Sequence, residues 1–600
     1  MEISPAALQA AWPGGHEVLQ PRAMQVLVML ARANGEVIAR DDLMAACWPS
    51  RAVGDDALNR IILLLRRLAA RAGGRAFSIE TIAKVGHRLQ AFDSGPRTSP
   101  AAAEPLLAVL AFDNLSDDPN LAYFSDGLSE EILHAVLGST RLRVAGRFSS
   151  FSLRGEQKTP ANVAAVLGAT LVLDGSVRTG GGQVRVIARL ADCATSANLW
   201  SGRFERAIAD VLLLQDEIAA AVAGALGSVA SPPSAAGPVD PAAFDLYLRA
   251  REASGDRLFG NLGLLEQAVA RAPGFAQAWS LMSHVRANML NWVDRGAEFD
   301  SQRAAVIHAA EMALALDPTL GAPYLALAQI EPQCGAFGER RRLVELAVSR
   351  SPYEPRSLIT AAAACDVVGR QRDVVEWLTR AYALDPRLSG FYFASALVTA
   401  GRSEEGWAVF ERDLKLWPEV FLLNTTALKC ASDAGDWRRY DAILERLPRP
   451  MAATGIVAAI GADAAKLRHW SADIGRQALA RMRGAVERTG TVGLTWAGFL
   501  SARGFADEVW DILEAASFAH LFEPQGALPR TEVSLNILFG PAFAALRRDR
   551  RFVRLCARLG MAAYWRDTGE WPDFESEVAA AYDLRAEVAA ALSGAPVAAA

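Results

Sequence analysis

The sequence predicts a chain of several domains: a small α+β head, an α/β module and an all-α body of repeated helix pairs. A long amphipathic helix and a basic hairpin lie within Val53–Gln90. Strand-like and helix-like segments then alternate, and beyond residue 242 prolines recur at a spacing of 34 residues. Because 600 residues exceed what one hydrophobic core organises, several domains are expected.

The head is predicted to span residues 1–92, with three helices and a hairpin. Pro21 can occupy the first position of a helix, and apolar residues then recur on one face. A second helix is predicted over Arg40–Trp48 and a third from about Asp55 to Ala72. The strands of the hairpin are predicted over Phe77–Ile82 and His87–Phe92.

The third helix of the head is amphipathic. Its apolar side is formed by Leu58, Ile61, Ile62, Leu65, Leu68 and Ala69. The opposite side carries Asp56, Arg60, Leu63 and Arg67, flanked by Asn59 and Arg66. We expect the apolar side to pack on the head and the other side to face solvent or a partner.

An α/β module is predicted over residues 106–229, between Pro/Ser/Ala-rich linkers at 93–105 and 230–242. The apolar run 106–112 reads as a buried strand, and Ala169–Val177 and Val184–Asp192 read as a hairpin around Thr179–Gly182. Helices are predicted over Glu130–Leu137, with Glu130 and Glu131 in its first turn, and over Phe204–Leu226. The Arg- and Ser-containing stretch from 147 to 154 is expected to be a solvated loop.

The body, residues 243–446, carries a repeat that ends in proline. Pro318, Pro352 and Pro386 are each 34 residues apart, and Pro418 follows after 32. We number each repeat from the third residue after its proline. Position 4 then holds a bulky residue, and positions 8 and 27 hold small residues. These are Tyr324, Leu358 and Tyr392; Ala328, Ala362 and Ala396; and Ala347 and Ala381. The pattern predicts helix pairs packed by small-to-large contacts and resembles the tetratricopeptide repeat. Residues 447–600 are expected to be helical, without a clean period.

The distribution of charge and the spacing of the cysteines indicate which kind of protein the chain is. The first 92 residues hold 11 Lys and Arg against 8 Asp and Glu, whereas the whole chain carries a net charge of −5. A basic head on an acidic body favours contact with DNA by the head. The six cysteines are scattered without metal-ligand spacing, which indicates reduced thiols and a cytoplasmic protein. Neither a signal peptide nor a membrane-spanning run is expected.

The head resembles the OmpR-type winged helix-turn-helix over residues 1–92, carried by GEVIARDDLMAACWPS, LNRIILLLRRL and IETIAKVGHRL. The resemblance implies that the third helix enters the major groove of double-stranded DNA and that the hairpin wing reaches the minor groove. The residues expected to contact bases or phosphates are Arg51, Asn59, Arg60, Arg66 and Arg67, with Lys84, His87 and Arg88 on the wing.

Leu63 and Leu64 occupy middle positions of the third helix that are commonly polar or basic in this family. Leucine cannot hydrogen-bond a base edge, although it can touch a thymine methyl group. Two interpretations stay open. Either these leucines form a dimer or interdomain contact and DNA binding is weak, or phosphate contacts carry the affinity and sequence specificity is modest.

The middle segment, from LAVLAFDNLSDDPNLAYFSDGLSEEILHAV to LLLQDEIAAAV, resembles a domain related to the amino-terminal domain of TolB. No enzyme is expected in the chain, since HExxH and GxSxG are absent and no GK[ST] follows Gly180–Gly182. No cofactor or metal is expected either, and Trp407, Trp417, Trp437 and Trp470 are expected to be packing residues.

The sequence as a whole predicts a bacterial transcriptional regulator whose repeat body binds a protein, a peptide or a small ligand. A single winged helix covers little DNA, so a homodimer on paired half-sites is expected. A scaffold for protein interactions, with a winged helix that no longer binds DNA, is the alternative.

Overall fold

The computed structural model describes residues 2–4, 9–12, 15–32, 37–47, 56–71, 77–82, 86–91, 105–116, 118, 121–139, 143–226, 238–252, 258–290, 293, 296–524 and 535–594. The chain divides into two compact units, Met1–Glu104 and Pro105–Ala600. The two predicted linkers fall mostly outside the described residues. The finer division into domains stays a prediction.

The first unit holds two small sheets and three helices. Its elements are β1 (Glu2–Ser4), β2 (Gln9–Trp12), β3 (Gly15–Val18), α1 (Pro21–Arg32), β4 (Ile38–Ala39), α2 (Arg40–Cys47), α3 (Asp56–Arg71), β5 (Phe77–Ile82) and β6 (Gly86–Ala91). Strands β1, β2 and β3 form an antiparallel sheet, and a second sheet has the order β4-β6-β5. The three helices and the hairpin agree with the sequence prediction, whereas the amino-terminal sheet was not predicted.

The core of the first unit joins α1, α2, α3 and the hairpin. Leu27, Leu58 and Leu65 are completely buried there, as the amphipathic pattern predicts. Gly86 allows β6 to approach β4, because a Cβ atom at this position would lie 1.9 Å from the carbonyl oxygen of Ile38. The glycine therefore fixes where the hairpin meets the helices.

The second unit begins with an α/β module. Its strands are β7 (Leu106–Val109), β8 (Asp113–Asn114), β9 (Arg143–Val144), β10 (Leu171–Gly180), β11 (Gln183–Asp192) and β12 (Asn198–Ala207). Its helices are α4 (Ala122–Ser139), α5 (Arg147–Phe151), α6 (Pro160–Leu167) and α7 (Val211–Ala225). The sheet order is β12-β11-β10-β7-β9, with β8 beside β10; β7 runs parallel to β9 and β10, and the β10-β11-β12 pairs are antiparallel. Every residue of β7 is buried because helices cover both faces of the sheet, as the apolar run predicts.

Three local predictions for this module are wrong. Residues 204–207 belong to β12 rather than to a helix, since Phe204 pairs with Val186 across the sheet. Glu130 and Glu131 lie in the middle of α4, where they form ion pairs with Arg251 instead of occupying a first turn. The stretch from 147 to 154 is not a solvated loop, because Ser149 and Ser150 are fully buried within the short helix α5.

The rest of the second unit is helical. The first helices are α8 (Pro241–Glu252), α9 (Leu258–Arg271), α10 (Ala276–Leu290), α11 (Ala297–Leu316), α12 (Ala322–Gln329), α13 (Phe337–Arg350), α14 (Pro355–Asp366), α15 (Gln371–Leu384), α16 (Phe391–Thr399), α17 (Ser403–Leu416), α18 (Phe421–Ala434) and α19 (Trp437–Arg446). They are followed by α20 (Arg449–Ala452), α21 (Gly455–Arg468), α22 (Ala472–Thr489), α23 (Thr495–Ser501), α24 (Ala506–Ala515), α25 (Ala544–Arg547), α26 (Arg551–Arg558), α27 (Met561–Thr568), α28 (Glu575–Val578) and α29 (Leu584–Gly594).

The helices of the repeat pair as the period predicts. Consecutive helices such as α14 and α15 pack antiparallel, and the repeated prolines follow the second helix of each pair. The small residues of the eighth and twenty-seventh positions are buried at these packings: Ala328, Ala347, Ala362, Ala381 and Ala396. Small side chains let neighbouring helices approach closely, which explains the alanines at these positions.

The chain after the repeats folds back onto them. The core around Trp510, Phe543 and Trp565 also contains Phe337 and Val368 from the middle of the repeat region. The indole of Trp565 donates a hydrogen bond to the carbonyl oxygen of Val368 at 2.9 Å. The described part of residues 447–594 is therefore mainly helical, as expected, but it packs against helices far earlier in the chain.

Candidate nucleic-acid interface

The face of α3 opposite its buried side is exposed and carries two arginines. Asn59, Arg60 and Arg67 are exposed, and Leu63 lies among them with 51% of its surface accessible. One stripe of a helix collects positions three, four and seven residues apart, so Arg60, Leu63 and Arg67 share this face. Neither arginine forms an ion pair with another side chain in the described part of the chain.

Asn59 and Arg66 flank this face and are both held by neighbours within the head. The guanidinium of Arg40 donates to Oδ1 of Asn59 at 2.8 Å. Arg66 reaches the hairpin instead, donating to the carbonyl oxygen of Ile79 at 2.9 Å and to Oγ1 of Thr81 at 2.8 Å. Arg66 therefore ties α3 to β5 through Nε and one terminal nitrogen, although the residue itself is exposed.

His87 does not face solvent. Only 1% of its surface is accessible, and Nδ1 lies 3.2 Å from Oγ1 of Thr81. Burial, together with the nearby charges of Arg40 and Arg66, lowers the pKa of the imidazole below its usual value. This burial disagrees with the expectation that His87 contacts DNA on the wing. Its Nδ1 contact with Thr81 joins β5 to β6 within the hairpin.

Arg88 is paired across the hairpin. It lies opposite Glu80 in the register of β5 and β6, and its guanidinium donates to the Glu80 carboxylate at 2.6 Å. The pair is partly exposed, so Arg88 can still approach a phosphate, but Glu80 offsets its charge. Arg51 and Lys84 lie outside the described residues, and their expected contacts stay predictions.

The two leucines of α3 have different environments. Leu64 is partly buried and packs against the core of the head, which accounts for an apolar residue at this position. Leu63 points outward on the arginine face. The exposed face can therefore offer guanidinium donors at both ends and one apolar contact between them. Arginine binds phosphates or the major-groove edge of guanine, and leucine can touch a thymine methyl group.

Sequence reasoning missed Arg40 and Thr81, which hold Asn59 and Arg66 in place. No spacing in the sequence marks these two residues. A signal did exist for His87, because Leu89 lies two residues further along the same strand and is buried. Residues two apart on a strand share a face, so His87 belongs with the core.

A second candidate site is a cleft of ≈250 Å³ in the helical body. Its lining includes Glu266, Trp279, Met282, Arg286 and His308, which belong to α9, α10 and α11. The indole of Trp279 and the ring of His308 meet edge to face at 5.6 Å, and Arg286 pairs with Glu266 at 2.7 Å. An apolar floor beside an ion pair can accept a small molecule or one side chain of a peptide.

Residues 15–89 match the protein family described as "Transcriptional regulatory protein, C terminal". The match covers α1, α2 and α3 and most of the hairpin. The head is therefore a winged-helix domain of the kind that transcriptional regulators use to bind DNA.

The comparisons beyond the head are partial. A protein named putative adenylate cyclase 3, from Rhizobium meliloti (strain 1021), is 36% identical over 156 residues. The match covers 25% of this chain, and the chain spans about a quarter (27%) of that protein. The crystal structure of yeast Tom70 aligns with 59% of this chain and 88% of its own, at 11% identity and a TM-score of 0.26. A similarity this low carries no argument about the fold of the body.

Among the described residues, no helix is long and apolar enough to cross a membrane. The same part of the chain holds no group of three His, Cys, Asp or Glu side chains that could bind a metal ion. Its cysteines are unpaired: Cys193, Cys334, Cys365, Cys430 and Cys556.

Proposed function

We propose that this protein is a bacterial, cytoplasmic transcriptional regulator that binds double-stranded DNA through α3 of its head. The observation that carries the proposal is the exposed stripe of Arg60, Leu63 and Arg67 on a winged-helix domain. The two guanidinium groups supply phosphate and base-edge donors, while Arg66 holds the helix against the hairpin and His87 joins the two hairpin strands. We also propose that residues 106–229 form a domain similar to the amino-terminal domain of TolB.

We propose that the helical body binds the molecule that regulates the protein. The cleft beside Trp279, at ≈250 Å³, is lined for a very small ligand or an apolar peptide side chain, with Arg286 and Glu266 at its edge. Helical repeats of the tetratricopeptide type bind proteins and peptides along their inner surfaces. We propose no catalytic step for this chain. The name putative adenylate cyclase 3 describes the Rhizobium meliloti protein alone.

Leu63 favours one alternative function. An exposed leucine in the middle of the recognition face suits a protein contact better than a base contact. In that case the head belongs to a scaffold for protein interactions and has lost DNA binding. The two functions differ in whether the arginines on either side of Leu63 are needed for binding DNA.

Selection of genomic DNA fragments by the full chain tests the proposal. The wild-type protein is expected to enrich a small set of fragments at physiological salt. The double variant Arg60→Ala/Arg67→Ala is expected to lose most of this enrichment, because each lost phosphate or base contact weakens binding by about 1–3 kcal/mol. Arg22→Ala removes an exposed arginine from α1 instead and serves as the matched control.

Retention of the same fragments by the double variant would contradict the proposed role of α3. Failure of the wild-type chain to retain any fragment even at low salt would favour the scaffold. Circular dichroism of each variant checks that the head remains folded.

A further inference from the structure

Strand β12 forms an edge of the sheet in the α/β module. It runs over ten residues, Asn198–Ala207, and pairs with β11 on one flank only within the described residues. An unpaired strand of this length presents a row of backbone donors and acceptors that can pair with another chain. The opposite edge is β9, which has two residues.

The register of β11 and β12 identifies the backbone groups that face outward. The amide of Ile208 donates to the carbonyl oxygen of Gly182, which continues the pairing of Val184 with Arg206. Hydrogen-bonded pairs alternate along an antiparallel ladder, so Arg206, Phe204 and Gly202 direct their backbone groups to β11. The backbone groups of the odd-numbered residues, Ser201 to Ala207, then point away from the sheet. The side chain of Arg206 donates to the outward carbonyl oxygen of Glu205, in agreement with this alternation.

The side chains of β12 are complementary to a second copy of the same strand. Arg203 and Glu205 lie two residues apart on the solvent side and are 63% and 42% exposed. They pair with each other at 3.4 Å, and Glu205 also pairs with Arg185 of β11 at 2.8 Å. In an antiparallel pair centred on Phe204, Arg203 of each strand lies opposite Glu205 of the other. The same register brings the two Phe204 rings together on the other face, and cross-strand pairs of opposite charge or of aromatic rings stabilise sheets. Shifting the centre to residue 203 or 205 would place like charges opposite each other.

We propose that β12 is a homodimer interface, in which two copies of the chain join their sheets edge to edge through antiparallel pairing centred on Phe204. The outward amides and carbonyls of residues 201–207 exchange hydrogen bonds between the chains, and the guanidinium of Arg206 leaves the Glu205 carbonyl to make room. Exposed Leu199 and Ile187 add apolar area on the solvent side. This interface is independent of DNA binding by the head.

Charge reversal followed by mixing tests the interface in the full chain. Sedimentation of the wild type across micromolar concentrations is expected to show a monomer–dimer equilibrium. Arg203→Glu places two Glu side chains opposite each other at both symmetric positions, and Glu205→Arg places two Arg side chains there. Each variant alone is expected to dimerise about tenfold to a hundredfold more weakly, because two favourable pairs become repulsive. An equimolar mixture of the two variants restores opposite charges at both positions and is expected to form a heterodimer.

Ser201→Pro removes an outward amide without touching the ladder to β11, since proline is tolerated on the free side of an edge strand. It is expected to weaken the dimer, whereas Ser201→Ala leaves that amide in place and is expected to dimerise like the wild type. Unchanged circular dichroism and thermal midpoints establish that the variants are folded. A wild-type chain that stays monomeric would overturn the proposal, as would a dimer that none of the three substitutions weakens. A mixture of the charge variants that recovers no dimer would also overturn it.

Discussion

His284 lies on α10 with its Nε2 facing two donors, the guanidinium of Arg356 and the amide of Asn288. Burial and then the charge of Arg356 lower the pKa of this imidazole to about 3. The neutral ring accepts hydrogen bonds from α14 and from its own helix. A protonated ring would face the guanidinium of Arg356, so the folded protein favours the neutral imidazole.

Acidification is therefore expected to destabilise the helical body through His284. An unfolded histidine takes up a proton near pH 6.5, whereas the folded one does so only near pH 3. The stabilisation is thus complete above about pH 6.5 and falls by about 1.4 kcal/mol per pH unit below it. Urea unfolding at pH 7 and pH 5 should show a steeper loss for the wild type than for His284→Gln. Equal losses would contradict this assignment.

The sequence predicts most of the residues in the candidate DNA interface but not how they are used. Helical periodicity places Arg60, Leu63 and Arg67 on one exposed face, because that face follows from the buried leucines alone. The function of Arg66 could not be predicted in the same way. Its hydrogen bonds join α3 to β5, and such contacts depend on how separate elements pack.

At the scale of elements, the packing of α16 on α17 depends on a glycine. A Cβ atom on Gly406 would lie 2.6 Å from the carbonyl oxygen of Ala394 and 2.8 Å from a methyl group of Val398. Gly338 lies near the start of α13, which is also the second helix of its pair. A Cβ atom added to Gly338 would have no neighbour within 4 Å in the described part of the chain. These two glycines thus form a matched test of close helix packing.

Gly406→Ala is expected to lower the free energy of unfolding by about 1–3 kcal/mol, because the helices must separate to admit the methyl group. Gly338→Ala is expected to be neutral or to stabilise by up to about 1 kcal/mol, because alanine is the better helix former. Denaturant unfolding of both variants measures the difference. The same effect for both substitutions would contradict close packing at Gly406.

Tryptophan–arginine contacts continue the helical repeat beyond the point where the proline period ends. Arg439 lies 4.8 Å from the centre of the Trp407 ring, Arg468 lies 4.9 Å from Trp437, and Arg503 lies 4.8 Å from Trp470. Each arginine follows its tryptophan by 31 to 33 residues, close to the 34-residue spacing of the prolines. The tryptophans are packing residues, as the sequence predicts. The continuation was missed because prolines and alanines, rather than these pairs, defined the period.

At the scale of the whole molecule, the second unit closes on itself through Glu570. Its carboxylate pairs with Arg341 at 2.7 Å and with Arg370 at 2.6 Å, and it accepts a hydrogen bond from Tyr564. The two arginines belong to the repeat region, some two hundred residues earlier. Contacts between residues so far apart leave no periodic signal in a single sequence. The packing of residues 535–594 against the repeat region could therefore not be predicted from the sequence.

Glu570→Gln is expected to destabilise the second unit by about 1–3 kcal/mol, because two arginines lose one partly buried partner. Glu575 pairs with Arg585 at a more exposed position, and Glu575→Gln is expected to change stability by less than about 0.5 kcal/mol. Thermal and urea unfolding of both variants compare the two pairs. Equal stability of the two variants would show that the closing contact contributes nothing measurable.

The central claim is that the head binds DNA through the arginine face of α3, and the salt dependence of binding tests it most directly. Fluorescence anisotropy of the full chain with a selected fragment should give a linear fall of log K against log salt concentration, since phosphate contacts release counterions. Arg60→Ala/Arg67→Ala should reduce the magnitude of the slope by about 2 if both arginines contact phosphates. A slope near zero for the wild type, or the same slope and affinity for the double variant, would contradict the claim.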